Sequence, residues 1–274
     1  MPHIGYVIIY ERKGWRGAAQ LIEIHNRRIA GIPCLHVAKQ QSDHSSVIFF
    51  FHGFMSAKEH NLHYAYLLAE KGFDVILPDA AYHGERSDGS DETVMSTRFW
   101  QIVVRSIEEF SAMKKALSDE GYANDTRIGA AGTSMGGITT LGALKKYEWI
   151  HTAVSLMGSP AYVGFAKAQI QHFERNGFKL PMSEEEVNEQ LKVLEAYDLS
   201  LHPEKLNNRP LMFWHGKADT VVPYEPTYAF FKAIHQLYVK KDHLRFISEE
   251  TEGHKVTRKG LLETVKWFDH HMKS

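Results

Sequence analysis

The stretch RIGAAGTSMGGITTLGALKK, Arg127 to Lys146, decides the fold. It opens on a short apolar run, Ile128 to Ala131, and breaks at Gly132-Thr133-Ser134-Met135-Gly136. It then continues with Ile138, Leu141 and Leu144 at helical spacing. Strand, sharp turn and helix form the context in which G-x-S-x-G carries chemistry. The turn strains its central residue, and glycine two positions to either side lets strand and helix pass closely. A serine hydroxyl is thereby lifted to a helix N-terminus, whose free N–H groups and dipole favour negative charge. Lys145 and Lys146 suit the opposite pole. Chance alone supplies the five-residue pattern in roughly one chain in ten of this length, so its weight rests on its surroundings.

Those surroundings alternate. Upstream, Val47-Ile48-Phe49-Phe50-Phe51 is a continuous apolar run, as a strand buried on both faces requires. A helical stripe through Leu62, Ala65, Tyr66 and Ala69 stops at Gly72, and Val75-Ile76-Leu77 is the next strand. After the loop Asp79 to Glu92, the residues Phe99, Val103, Ile107, Phe110, Met113 and Leu117 recur every three or four positions and predict a long helix. Downstream, Ala153 to Met157, Leu211 to Trp214 and Leu244 to Ile247 read as strands. Helices follow the last two, marked by Tyr224, Tyr228, Phe231, Ile234 and Tyr238, then by Leu261, Val265, Phe268 and Met272. Val7 to Tyr10, Gln20 to Ile24 and Pro33 to Ala38 read as an antiparallel lead-in. The pattern predicts an α/β domain with a mostly parallel sheet covered by helices on both faces.

Only Ser159 to Arg209 breaks the rhythm. It is too long for an ordinary connection and carries its own helices. One runs from about Ala161 to Glu174; the other opens with the capping box Ser183-x-x-Glu186 and continues through Val187, Leu191 and Leu194. The whole chain, 1–274, is therefore read as one domain with an insertion over approximately 159–209.

The chain has 274 residues, a net charge of −1 and 43% hydrophobic residues, the make-up of a soluble globule with a large core. Neither a nucleic-acid nor an anionic-membrane footprint is present, so neither partner is expected. Cys34 is the single cysteine, which excludes an intrachain disulfide and suits a reducing compartment. The N-terminal apolar run is too short for a signal peptide, and a cytoplasmic location is expected.

A serine hydroxyl needs a histidine to take its proton and a carboxylate to hold that histidine. Asp219 follows the strand Leu211 to Trp214 in His215-Gly216-Lys217-Ala218-Asp219, and His254 follows the last strand in Glu252-Gly253-His254. Among 17 histidines, position selects His254: His243 precedes its strand, and His270 and His271 end a helix. Glu225 competes as the acid, but its Pro223 to Pro226 setting suits a helix start, and Asp198 falls in the insertion. Chemistry at a carbonyl also needs oxyanion donors. The Met135 N–H follows the serine, and His52-Gly53-Phe54-Met55 after a buried strand offers the Phe54 N–H. His60 and His63 share a helix face but lack a carboxylate or cysteine pattern, so no metal site is read there and no cofactor is expected.

Four separately placed features agree, and the chain resembles the α/β-hydrolase superfamily along essentially its whole length. Pro78 to Ser87 looks like the segment such enzymes carry after the second parallel strand. The resemblance implies Ser134, Asp219 and His254 as a triad and Phe54 and Met135 as oxyanion donors. The chain looks most like compact serine esterases of the prolyl-oligopeptidase/dienelactone-hydrolase-like branch. It departs from oligopeptidases, since 46 residues before the first buried strand leave no room for a propeller domain. It departs from dienelactone hydrolases in placing serine at the elbow. The expected activity is hydrolysis of a small carboxylic ester through an acyl-Ser134, with thioester hydrolysis, acyl transfer or ligand binding without turnover as alternatives. Tyr82, Tyr162, Phe165 and Phe173 are the expected substrate-pocket residues; docking of the insertion is the alternative account of the last three.

Overall fold

Every position from Val47 to Phe51 is apolar because the two faces of that strand enter two different cores. Val47, Phe49 and Phe51 point into one cluster, and Ile48 and Phe50 into the other. The computed structural model describes residues 6–7, 21–42, 44, 46–122, 127–175, 177 and 183–273. In chain order the strands are β1 Tyr6–Val7, β2 Ile22–Ile29, β3 Ile32–Lys39, β4 Ser46–Phe51, β5 Asp74–Pro78, β6 Arg127–Thr133, β7 Ile150–Leu156, β8 Leu211–Gly216 and β9 Leu244–Glu249. The helices are α1 Leu62–Glu70, α2 Glu92–Thr97, α3 Phe99–Asp119, α4 Met135–Lys146, α5 Tyr162–Arg175, α6 Glu184–Glu195, α7 Tyr224–His235 and α8 Arg258–His271.

Among the described residues the strands form one sheet in the order β1-β2-β3-β5-β4-β6-β7-β8-β9. The pairs from β5 to β9 are parallel, and β1 to β3 join antiparallel at one edge. Helices α1 and α8 supply Tyr64, Leu68, Val265 and Phe268 to one face, while α3, α4 and α7 supply Phe110, Leu141 and Ile234 to the other. The fold is that of the α/β-hydrolases. From β4 the chain moves outward to β5, then crosses back to β6 on the other side. That reversal opens a crevice at the carboxyl ends of the strands, where ligands of open α/β sheets bind.

Within the expected lead-in, Ile8 to Tyr10 and Gln20 lie outside the described residues. The loop expected to run to Glu92 gives way there to the short helix α2, because the Asp91 side chain accepts the Val94 N–H at 2.9 Å and caps it. Tyr238 lies beyond α7, where its hydroxyl donates to the Arg209 carbonyl at 2.8 Å.

The insertion is fastened at both ends. Asp198, buried, accepts the Val163 N–H at 2.9 Å and so caps α5 from the far side of the insertion. At its exit the Arg209 guanidinium donates to the carbonyls of Leu144, Tyr147 and Ile150, closing the end of α4 onto β7. Ser183 and Glu186 form the reciprocal capping box of α6.

Candidate active site

Ser134 sits between β6 and α4 with φ 54° and ψ −117°, a conformation costly for a residue with a side chain. The glycines around it are required by distance. A Cβ on Gly136 would lie 2.1 Å from the Phe51 carbonyl oxygen, and one on Gly132 would lie 2.4 Å from Gly136 backbone. The turn is held by the Ser134 N–H, which donates to the Leu156 carbonyl at 2.8 Å, and by the Ile138 N–H, which donates to the Ser134 carbonyl at 2.9 Å.

His254 reaches this serine from the loop after β9. Its Nε2 lies 2.8 Å from Ser134 Oγ, and its Nδ1 lies 2.8 Å from Asp219 Oδ2. A carboxylate can only accept, so the ring proton sits on Nδ1 and Nε2 is free to accept from the hydroxyl. The acid and histidine loops are stitched together: the Ala218 N–H donates to the Glu252 carbonyl at 3.0 Å, and the Lys217 N–H donates to Glu249 at 2.8 Å. Gly216 permits the contact, since a Cβ there would fall 2.2 Å from the Glu252 oxygen.

Asp219 is buried and fully engaged. Its Oδ1 accepts the N–H groups of Val221 and Val222 at 2.9 and 3.0 Å, and Oδ2 also lies 3.2 Å from His215 Nε2. Burial alone would raise its pKa, but the bonds from His215 and His254 outweigh it and hold the carboxyl below its ordinary range. His215, buried, also bonds the Val222 carbonyl at 2.8 Å and so braces this loop from behind. In the sequence His215 stood out only as the first residue of the segment that carries Asp219. Glu225, the competing carboxylate, is exposed in the first turn of α7, away from this hydrogen-bonded chain.

Met135 is buried at the first position of α4, and Gly53 lies against the serine, an added Cβ there being 3.7 Å from Ser134 Cβ. Phe54 follows, half-buried, its ring 5.6 Å from Phe99 and 5.8 Å from His83. The loop is anchored by the buried Lys58, whose ammonium lies 2.8 Å from buried Asp79 Oδ2 and 2.9 Å from Glu59 and Glu85.

The aromatic expectations divide. Phe165 is half-buried and packs edge-on against Phe99 and Trp100. Phe173 is half-buried and lines a cavity of about 60 Å³ with Trp100, Ile170, Val187, Leu191 and Leu194. Tyr82 is half-buried at φ 63°, under the Arg98 guanidinium at 4.6 Å. Tyr162 is corrected from a pocket wall to a core residue. It is fully buried, and its hydroxyl donates to the Ile138 carbonyl at 2.6 Å in a space left by Gly142. A phenol hydroxyl so placed satisfies its own polarity on α4 and leaves no face toward a ligand. Among the described residues, no group of three His, Cys, Asp or Glu is arranged to hold a metal ion.

Comparison with known proteins agrees with this fold. The chain matches the prolyl oligopeptidase family over residues 59–274. It is 50% identical over 252 residues to "Putative esterase YitV" of Bacillus subtilis (strain 168), covering 91% of this chain and 99% of that one. It is 31% identical over 255 residues to the esterase YjfP of Escherichia coli (strain K12), covering 92% and 100%. The crystal structure of TT1662 from Thermus thermophilus superposes with a TM-score of 0.71 at 20% identity, over 92% of this chain and 99% of that one. The protein is an α/β-hydrolase by fold, and it belongs to the prolyl oligopeptidase family. Among the described residues no helix is long and apolar enough to cross a membrane.

Proposed function

We propose that this protein is a serine esterase that cleaves small carboxylic esters through an acyl-Ser134 intermediate. In this reading His254 takes the hydroxyl proton as Ser134 attacks the carbonyl carbon, and Asp219 stabilises the imidazolium that forms. The N–H groups of Met135 and Phe54 receive the developing oxyanion. His254 then returns the proton to the leaving alcohol, and a water molecule repeats the sequence to release the acid. The observation that carries the reading is the continuous hydrogen-bonded chain Asp219–His254–Ser134 on a strained elbow. Kinship to two proteins named as esterases adds weight.

The substrate side follows from the insertion, which acts here as a lid. Phe54, Phe99 and Phe165 form a run of ring contacts leading from the elbow side to Trp100 and the cavity beyond it. That cavity holds about four to six water-sized groups, which fits a short to medium acyl chain. Each methylene buried there contributes about 0.8 kcal/mol, a few-fold in kcat/KM. A net charge of −1, with basic and acidic residues interspersed along the chain, fits a cytoplasmic enzyme acting on small molecules. A panel of p-nitrophenyl esters from acetate to dodecanoate tests this. Rates should climb with acyl length to about C4–C6 and then fall; absence of turnover on every ester contradicts the assignment.

A further inference from the structure

The loops that leave β4 and β5 are joined by two imidazoles whose bonds have a defined polarity. His52 Nδ1 lies 2.8 Å from the Gly53 carbonyl oxygen, and its Nε2 receives the Ala80 N–H at 3.0 Å. His83 Nδ1 lies 2.8 Å from the Ala81 carbonyl oxygen, and its Nε2 receives the Met55 N–H at 3.1 Å. A carbonyl oxygen only accepts and an amide N–H only donates, so each ring must be neutral with its proton on Nδ1. Both rings are buried and their centroids stand 5.1 Å apart. Burial pulls both below the ordinary histidine value, His52 to about 4.

The bonded groups belong to two successive peptide planes. The Gly53 carbonyl held by His52 shares its plane with the Phe54 N–H, and in a trans peptide the two point in opposite directions. The Met55 N–H held by His83 belongs to the next plane, between Phe54 and Met55. Met55 and Tyr82, at φ 55° and 63°, put a strained residue in each of the joined loops, as happens where surroundings over-determine the backbone.

We propose that His52 and His83 are positioning residues that clamp these two planes and so aim the Phe54 N–H at the oxyanion. The inference rests on the reading of Phe54 as an oxyanion donor. Neither imidazole touches substrate; each acts through the peptide it holds. A preorganised donor matters most in the transition state, so loosening the clamp lowers kcat and leaves KM nearly unchanged. A merely structural role would not produce that split.

Two substitutions at His83 separate its bonds. In His83→Asn the amide nitrogen can replace Nδ1–H toward Ala81, but nothing reaches the Met55 N–H. In His83→Gln the amide oxygen can replace Nε2 as the acceptor of that N–H. With p-nitrophenyl butyrate, His83→Asn should lose about tenfold or more in kcat, up to the roughly 10²–10³ that follows loss of an oxyanion donor, with KM within about twofold. His83→Gln should recover most of that loss. Full kcat in His83→Asn, or equal losses in the two variants, overturns the proposal. A second measurement needs no variant: imidazole ¹⁵N shifts of the wild-type protein at pH 7 should show His52 and His83 neutral and protonated on Nδ1. A proton on Nε2 of either ring also overturns it. Because the tautomers are read without substrate, a failure of the clamp is distinguishable from a failure of the esterase reading, which would show as wild-type protein inert toward every ester.

Discussion

Asp219 Oδ2 holds His254 Nδ1 at 2.8 Å while its other oxygen is saturated by two backbone N–H groups from Val221 and Val222. The carboxylate cannot rotate away from the imidazole without abandoning those bonds. It therefore fixes both the ring's tautomer and its angle to Ser134. Asp219→Asn should fold but lose several orders of magnitude in kcat, on the order of 10⁴, because an amide nitrogen facing Nδ1 selects the wrong tautomer. Glu225→Gln, on the exposed first turn of α7, should stay within about twofold. Steady-state ester hydrolysis by the two variants decides the acid, and the reverse result reassigns it.

The aromatic residues of the insertion separate by burial. Tyr162→Phe removes a hydroxyl bonded to the Ile138 carbonyl at 2.6 Å and should cost about 1 kcal/mol in stability, leaving acyl preference unchanged. Phe173→Ala opens the cavity wall and should flatten the chain-length profile while acetate turnover persists. Urea midpoints and the ester panel, measured side by side, check both. A shifted profile in Tyr162→Phe, or an unmoved one in Phe173→Ala, would place the acyl chain elsewhere.

Acid should unfold this protein from the histidine side. His52 titrates near 4 in the fold against about 6.5 when exposed, and burial lowers His83 and His271 as well. Between those values the unfolded chain binds more protons, so the contribution of these rings to stability falls as pH drops from about 6.5 toward 4 and is level above about 6.5. His52 alone should account for up to about 3 kcal/mol across that window. Urea midpoints should decline steadily from pH 6.5 to 4.5. His271→Phe, which keeps a ring against Trp267, 4.1 Å from the present one, should reduce the slope. A midpoint independent of pH over that range contradicts the burial of neutral rings.

Cys34 is buried, and desolvation pushes its thiol up to about 12. The reactive thiolate is then negligible at pH 8. Ellman's reagent should release no colour from the folded protein and one equivalent after denaturation. Rapid reaction in the native state would mean that the β3 region opens.

The sheet was legible because β4 to β8 present apolar residues on both faces, and the elbow because only glycine fits beside the Phe51 carbonyl. Asp219 and His254 could be singled out because each follows a strand, in the order serine, acid, histidine that the resemblance to α/β-hydrolases implies. Tyr162 was misread for a physical reason: periodicity tells that a helix face is apolar, but not whether sheet, helix or ligand covers it. The clamp formed by His52 and His83 left no pattern at all. Its partners are backbone groups, which every residue carries, so His52-Gly53 pointed only to the Phe54 N–H beside it and neither imidazole was given a role. The Lys58–Asp79 pair was equally silent, since sequence does not say which of many lysines is buried.

The central claim is that Ser134 is the nucleophile, and a fluorophosphonate probe tests it most directly. Such a probe phosphonylates an activated serine and stops, so peptide mass mapping reports the residue itself. Wild-type protein should take up one equivalent on the peptide containing Ser134, in step with loss of ester hydrolysis. Ser134→Ala should fold, remain unlabelled and lose roughly 10³–10⁶-fold in kcat. Labelling at another residue, or persistent labelling and turnover in Ser134→Ala, would contradict the account.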